Sequence, residues 1–172
     1  MHRLFSPRVI LYTAILLTLD MTLVPLFRIG DSRFVLGYLL VVYAAFQWGW
    51  NRAVPTALFI GVLRDLLSTG MMGLETFSLF LSSLSLAFVS MKVQRESLLL
   101  RFFAAAGFVL TAVLIQLLLS GFLTGIQYDY GYYLSITLGS AIYTGLAVPV
   151  FFFISAKWFG DHLAIKQYDL FS

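Results

Sequence analysis

The chain has 172 residues, of which 60% are hydrophobic and only 11% are charged, and its mean hydropathy is +0.93. A soluble domain of this size needs more charge to stay in solution, so the composition predicts an integral membrane protein with a single domain. The absence of cysteine excludes disulfides, thiolate nucleophiles and iron–sulfur clusters. The formal net charge of +3 does not indicate nucleic-acid binding, because basic residues of a membrane protein first of all set its topology.

Six apolar segments are predicted to cross the membrane, which makes the expected fold an all-α integral membrane protein. They are residues 9–27, 34–50, 53–67, 74–91, 102–123 and 134–158 of one transmembrane domain, 1–172, in which 159–172 form a short cytoplasmic tail. If the N-terminus is cytoplasmic, only Arg28, Arg33 and Arg64 of the 11 basic residues lie on the outer side, in agreement with the positive-inside rule. Both termini are therefore predicted to be cytoplasmic.

Charged residues at membrane depth are the most informative feature of the sequence. A helix that begins near Pro55 reaches Arg64 after about ten residues, or roughly 15 Å, in an apolar core about 30 Å thick. Charge at this depth costs about 2.5 to 3.5 kcal/mol, so Arg64, Asp65 and Asp20 are expected to face protein or a water-filled cavity. Neighbours in a helix do not face each other, which predicts separate partners for Arg64 and Asp65. Glu75 and Asp20 are the candidate partners of Arg64.

The role of these charges stays open at this point. A structural ion pair and a functional ionisable site fit the pattern equally well. A proton-coupled transporter is a further alternative, because proton relays use buried carboxylates. Against it, the sequence shows no inverted repeat.

Small residues are expected to form a turn and a packing surface. Apolar sequence breaks between Ser68 and Gly73, with Gly70 inside the break, before the fourth segment begins. On that segment Ser78, Ser82 and Ser85 recur at helical spacing, and small residues let helices approach closely in lipid. We therefore expect these serines to form a packing seam.

Two further residues are unusual for apolar spans. Gln116 places a polar amide in the fifth segment, where an interhelical hydrogen bond is the simplest expectation. Pro149 lies inside the sixth segment and is expected to kink it, because proline lacks a backbone donor.

Aromatic residues are expected to mark both membrane interfaces. Three tryptophans fall near the cytoplasmic ends of the second and sixth segments, and four tyrosines crowd the outer loop between the fifth and sixth. These residues are Trp48, Trp50 and Trp158, and Tyr128, Tyr130, Tyr132 and Tyr133. Anchoring is the favoured interpretation, and contact between the tyrosine-rich loop and a partner protein is the alternative.

No catalytic motif accompanies these features. The sequence contains no P-loop, dinucleotide fingerprint or GxSxG elbow, and His2 and His162 lie in the terminal tails. A serine nucleophile would lack a base within the spans. The charge of Arg64 beside Asp65 argues against a paired-aspartate enzyme formed with Asp20. We expect a protein that is not an enzyme and that uses no cofactor and no metal.

One stretch carries a recognisable motif. Residues 34–79 comprise an apolar span, a short basic turn and a segment close to G-x-x-x-D-L-L-x-G-x-x-x-G-L. The matching positions are Gly61, Asp65, Leu66, Leu67, Gly73 and Leu74, while Gly70 is one place late, Thr69 takes its usual position, and Met71 or Met72 replaces a common proline. This stretch, about a quarter of the chain, resembles the core of the rod shape-determining protein MreD family.

The resemblance implies a polytopic component of the bacterial inner membrane that acts by binding. Proteins of this family are scaffolds of the cell-elongation machinery for peptidoglycan synthesis. They bind the bitopic protein MreC, and through it work with the cytoskeletal MreB, the glycosyltransferase RodA and a penicillin-binding transpeptidase. Contact with membrane lipid is expected, and binding of nucleic acid is not expected.

The same resemblance implies a six-helix fold related to the substrate-binding subunits of energy-coupling-factor transporters. Uptake of a vitamin or another small solute is therefore the alternative function. Such subunits commonly carry an Ala-x-x-x-Ala surface on the first span, which the first segment here lacks. For the scaffold, Arg64, Asp65 and the turn from Gly70 to Gly73, with Asp20 and Glu75, are expected to hold an outward-side cavity in shape. For a solute-uptake subunit, Arg64 and Asp65 are the candidate ligand contacts.

Overall fold

The described part of the chain consists of six helices and contains no strand. The computed structural model describes residues 7–22, 35–68, 71–92, 98–124 and 129–160. The helices are α1 (Pro7–Thr22), α2 (Leu36–Gln47), α3 (Trp50–Leu67), α4 (Leu74–Lys92), α5 (Leu98–Thr124) and α6 (Tyr130–Phe159). Their number and order agree with the six predicted segments, and the all-helical class is confirmed. The predicted extension of the first segment to residue 27 and the tail after 160 lie outside the described residues.

The turn between α2 and α3 lies earlier than the sequence predicts. It occupies Trp48 and Gly49, and α3 begins at Trp50 with Pro55 inside the helix. The reason is Gly49, whose φ of +85° is a backbone conformation that only glycine adopts readily. With the earlier start, Arg64 is the fifteenth residue of α3 (50 to 64), so the expectation that it lies about ten residues into a helix was wrong.

Helix α2 is the centre of the bundle. Residues 37–46 are all buried, and α2 packs against each of the other five helices. Its sequence is apolar on every side, which is typical of a helix surrounded by protein. Because α2 is buried over almost its whole length, the unpaired backbone N–H groups at its amino end need polar partners on the helices around it.

Two helices are long and apolar enough to cross a membrane, judged by length and composition. These segments are Leu99–Leu123 in α5 and Gly131–Phe159 in α6, while Val9–Asp20, Leu36–Trp48 and Leu74–Ser90 are shorter apolar helices. Helix α6 continues through Pro149 from its first residue to its last.

The start of α6 differs from the predicted tyrosine-rich loop. Asp129 caps the helix, since its side chain accepts hydrogen bonds from the backbone N–H groups of Gly131 (3.1 Å) and Tyr132 (3.3 Å). Tyr130 and Tyr132 therefore belong to the first turn of α6 rather than to a connector. Tyr128 lies outside the described residues.

An aromatic cluster closes the opposite end of the bundle. Tyr12 of α1 shares a 2.7 Å hydrogen bond with Ser155 of α6, and its ring lies 5.5 Å from that of Trp158 and 5.0 Å from that of Phe159. Trp48 packs edge-on against Phe159 at 4.8 Å. Trp48 and Trp158 thus join α1, α2 and α6 in addition to any anchoring role.

Candidate functional site

The charged residues singled out in the sequence meet at one end of the bundle, around Arg64. The Nη1 of Arg64 lies 2.8 Å from Oδ2 of Asp20, and its Nε lies 3.0 Å from Oε2 of Glu75. The three side chains are only 12%, 10% and 15% exposed, and the guanidinium lies over the ring of Tyr38, 5.2 Å from its centroid. Both predicted partners of Arg64 are confirmed, and its planar fork serves two carboxylates at once.

Asp20 also supports the start of α2. Its Oδ1 accepts a 3.1 Å hydrogen bond from the backbone N–H of Leu36. The preceding N–H, of Val35, donates to Oγ1 of Thr144 in α6 at 3.3 Å. Helix α2 has no capping hydrogen bond from its own N-cap side chain. Donors at its amino end, which a helix leaves unpaired, are therefore satisfied by side chains of α1 and α6.

Asp65 satisfies backbone N–H groups at the start of α4 in the same way. This buried carboxylate accepts hydrogen bonds from the backbone N–H groups of Glu75 (3.1 Å) and Thr76 (2.9 Å) and from the Thr76 hydroxyl. A negative charge is unfavourable at the carboxyl end of its own helix and favourable at the amino end of the next one. Asp65 thus ties the end of α3 to the start of α4, and the separate partners predicted for Arg64 and Asp65 are confirmed.

Two glycines let α3 and α4 come this close. A Cβ atom on Gly61 would lie 2.6 Å from the Cα atom of Thr76, a distance that real Cβ contacts do not show. Gly73 has φ +92° just before α4 begins, which again requires glycine. With Asp65, these residues form a single structure, here called the α3–α4 joint: Gly61, Asp65, Gly73, Glu75 and Thr76. Gly70 lies outside the described residues.

The predicted serine seam is found only in part. Ser78 and Ser82 are fully buried, whereas Ser85 is exposed beside α5. The hydroxyls bond to carbonyls of their own helix, from Ser78 to Glu75 (3.0 Å) and from Ser82 to Ser78 (2.8 Å). The two buried serines therefore serve the packing through their small size. Among the described residues their hydroxyls bond to no other helix, and Ser85 does not belong to a buried seam.

A cavity of about 300 Å³ lies beside the ion pairs, between α2, α3, α4, α5 and α6. Its polar lining residues are Tyr38, Arg64, Glu75, Gln116, Tyr133, Thr137 and Ser140. A second depression of about 440 Å³ shares Glu75, Gln116 and Tyr133 with it and continues towards Met71 and Leu117. Gln116 thus faces the bundle as predicted, but among the described residues none hydrogen bonds to its amide.

Several contributors to this site had no clear signal in the sequence. The ring of Tyr38 lies under Arg64, and Thr144 of α6 accepts from the N–H of Val35 before α2. In the sequence each of these residues is far from its partner. The cap at Asp129 has a sequence signal, because an aspartate directly before an apolar run is a common N-cap.

The chemistry of the site is that of polar groups holding helix ends together. Among the described residues, no group of three or more His, Cys, Asp or Glu side chains has a geometry that could hold a metal ion. Comparison of the whole chain with models of protein families, with curated proteins and with solved structures finds no match.

Proposed function

We propose that the chain is a multi-pass protein of the bacterial inner membrane. The distribution of side chains supports this, because polar residues such as Asp65, Ser78 and Thr144 are buried while large apolar residues cover the outside. Phe122 of α5, for example, is 88% exposed. An arrangement with polar groups inside and apolar groups outside suits lipid as the surrounding solvent.

The ion-pair cluster belongs to the outer side in this proposal. It joins the ends of α1 and α3 to the starts of α2 and α4, so these contacts lie on one side of an up-and-down bundle. With eight basic residues assigned to the other side by the positive-inside rule, both termini are cytoplasmic.

The function we propose is that of a non-catalytic scaffold of the cell-elongation complex, binding MreC and through it MreB, RodA and a penicillin-binding transpeptidase. One observation carries this proposal. The motif residues that resemble the MreD family, Gly61, Asp65 and Gly73, all act on the α3–α4 joint. Their bonds are used within the fold, so the motif preserves a shape that a partner recognises rather than a reactive centre. The exposed Tyr132 at the start of α6, with Tyr128 and Tyr130 near it in sequence, offers a partner surface on the same outer side.

Affinity purification of the tagged chain from gently solubilised membranes tests this function. We expect MreC and elongation proteins to be recovered with it. The Asp65→Ala variant should lower the amount of folded protein and the recovery of MreC, and rod shape should be lost. Asp129→Ala removes the exposed cap of α6 by the same chemical change, and should affect the protein level much less. Unchanged protein level and cell shape in the Asp65 variant would contradict the proposal.

The cavity beside Arg64 favours a second candidate function. A volume of about 300 Å³ is at the lower end of the range for small-molecule sites. This supports a substrate-binding subunit of an energy-coupling-factor type transporter for a vitamin or small solute. In the same purification, recovery of an energising transmembrane subunit with ATPases, in place of MreC, would identify this function.

A further inference from the structure

The ion-pair cluster beside the cavity, of which Arg64 and Glu75 line the cavity itself, contains more negative than positive charge. Arg64 supplies one positive charge against the carboxylates of Asp20, Asp65 and Glu75. The two aspartates also face the amino ends of α2 and α4, and each helix end contributes about half a positive charge. This leaves an excess of about one negative charge, and the carboxyl ends of α1 and α3 on the same side only increase it.

The excess negative charge faces the cavity at the carboxylate of Glu75. Its Oε2 accepts from Arg64, but among the described residues no donor reaches its Oε1. Glu75 lines both the cavity beside Arg64 and the adjoining depression. Asp20 and Asp65, in contrast, use both of their oxygens within the fold.

The remaining lining suits a ligand that donates hydrogen bonds. Gln116 offers an amide oxygen, and Thr137, whose hydroxyl donates to the carbonyl of Tyr133, still offers its oxygen as an acceptor to the cavity. The positive charge of Arg64 is already paired with two carboxylates, so an anionic ligand would gain little from Arg64 and would be repelled by Glu75 at the same place. A divalent metal is not favoured either, because the described residues present no set of three metal-binding side chains.

We infer that this cavity binds the ammonium group of a small primary amine, with Glu75 Oε1 as the counter-charge and Gln116 as a second acceptor. A primary ammonium has three donors and no acceptor, which matches a carboxylate, an amide oxygen and a hydroxyl. The rest of the ligand extends into the adjoining depression, where Met71, Leu74 and Leu117 provide apolar surface. The inference concerns the cavity alone and holds for a scaffold as well as for a solute-binding subunit.

An amine of this kind has two sources, a free solute or the headgroup of an ethanolamine phospholipid. Calorimetric titration of the purified chain with ethanolamine tests the first, with ethylene glycol as the uncharged control of similar size. Thermal unfolding in nanodiscs of phosphatidylethanolamine, compared with phosphatidylglycerol, tests the second. Saturable binding of ethanolamine supports the free amine. Stabilisation by the ethanolamine lipid alone supports the lipid.

Substitutions locate the binding in the cavity. Gln116→Leu removes one acceptor and should weaken amine binding by about tenfold. Because no described residue hydrogen bonds to the Gln116 amide, this variant should fold normally. Gln47→Leu, the same change at the end of α2, should leave binding unaltered. Glu75→Gln should abolish binding, but it also weakens the pair with Arg64, so the Gln116 variant decides the test.

Three results would overturn the inference. The first is a folded chain that neither binds ethanolamine nor responds to the ethanolamine lipid. The second is binding of ethylene glycol as tight as that of ethanolamine, which would show that the positive charge of the amine does not contribute to binding. The third is amine binding that Gln116→Leu leaves unchanged, which would place the amine elsewhere.

Discussion

Replacing Gly61 by alanine tests the central contact of the α3–α4 joint. The added Cβ would lie 2.6 Å from the Cα atom of Thr76, whereas ordinary contacts begin near 3.4 Å. The obstacle is backbone, so it cannot rotate away as a side chain does. The two helices must separate by about 0.8 Å to restore ordinary contact. Since Asp65 lies one turn from Gly61, its hydrogen bonds to the start of α4 lengthen with this movement.

The expected cost follows from these distances. Forcing an extra carbon into a packed contact costs about 1 to 3 kcal/mol, and weakening a charged hydrogen bond adds about 1 kcal/mol or more. Alanine recovers about 0.5 to 1 kcal/mol because it favours the helix over the unfolded chain. The free energy of unfolding should therefore fall by about 2 kcal/mol, which lowers the melting temperature by roughly 4 to 8 °C for a chain of this length.

The chain provides a matched control on α5. A Cβ on Gly107 would meet nothing within 4 Å, so Gly107→Ala should gain helix propensity without a clash and melt at or slightly above the unchanged protein. Both variants can be followed in detergent by the fluorescence of the three tryptophans. If Gly61→Ala melts as high as Gly107→Ala, then α3 and α4 are not in the close contact described, and the account of the joint fails.

Substitutions at two further residues examine the polar contacts at either end of the bundle. Arg64→Lys keeps the charge but replaces the planar guanidinium by a single ammonium, so one of the two carboxylates loses its bond to residue 64. We expect the free energy of unfolding to fall by about 1 to 3 kcal/mol, against about 3 to 5 kcal/mol for Arg64→Leu. Equal stability of the lysine variant and the unchanged protein would contradict the two-carboxylate role. At the other end, Tyr12→Phe removes the hydrogen bond to Ser155 and should cost about 0.5 to 1.5 kcal/mol, whereas Tyr12→Ala also loses the ring contacts and should cost at least about 3 kcal/mol. If Tyr12→Phe and Tyr12→Ala have the same melting temperature in the thermal assay, the ring contacts of Tyr12 contribute nothing to stability.

The partners of Arg64 could be predicted because the choice was small. Few carboxylates lie at the depth of Arg64 in the predicted helices, and a buried charge requires a counter-charge. Hydropathy likewise located all six helices, since each is an apolar run bounded by polar or glycine-rich sequence.

Contacts made across the bundle could not be predicted in this way. The need for glycine at position 61 depends on the Thr76 backbone opposite, which no local pattern reveals. The hydroxyl of Thr144 meets an N–H that is 109 residues earlier in the chain. The start of α3 was misplaced for a different reason. The apolar pattern places the start of the third segment at residue 53, near Pro55, whereas the positive φ of Gly49 provides the actual break.

The dependence of α2 on its neighbours has a consequence for how the protein is made. Asp20 has been synthesised before α2, but the hydroxyl that meets the N–H of Val35 belongs to Thr144, 109 residues later. At synthesis rates of about 5 to 20 residues per second, the ribosome needs roughly 5 to 20 s to reach it. During that interval the amino end of the central helix stays incompletely bonded, and the partly folded chain must tolerate it. Helix α6, the last of the described helices, therefore completes the hydrogen bonding of the helix at the centre.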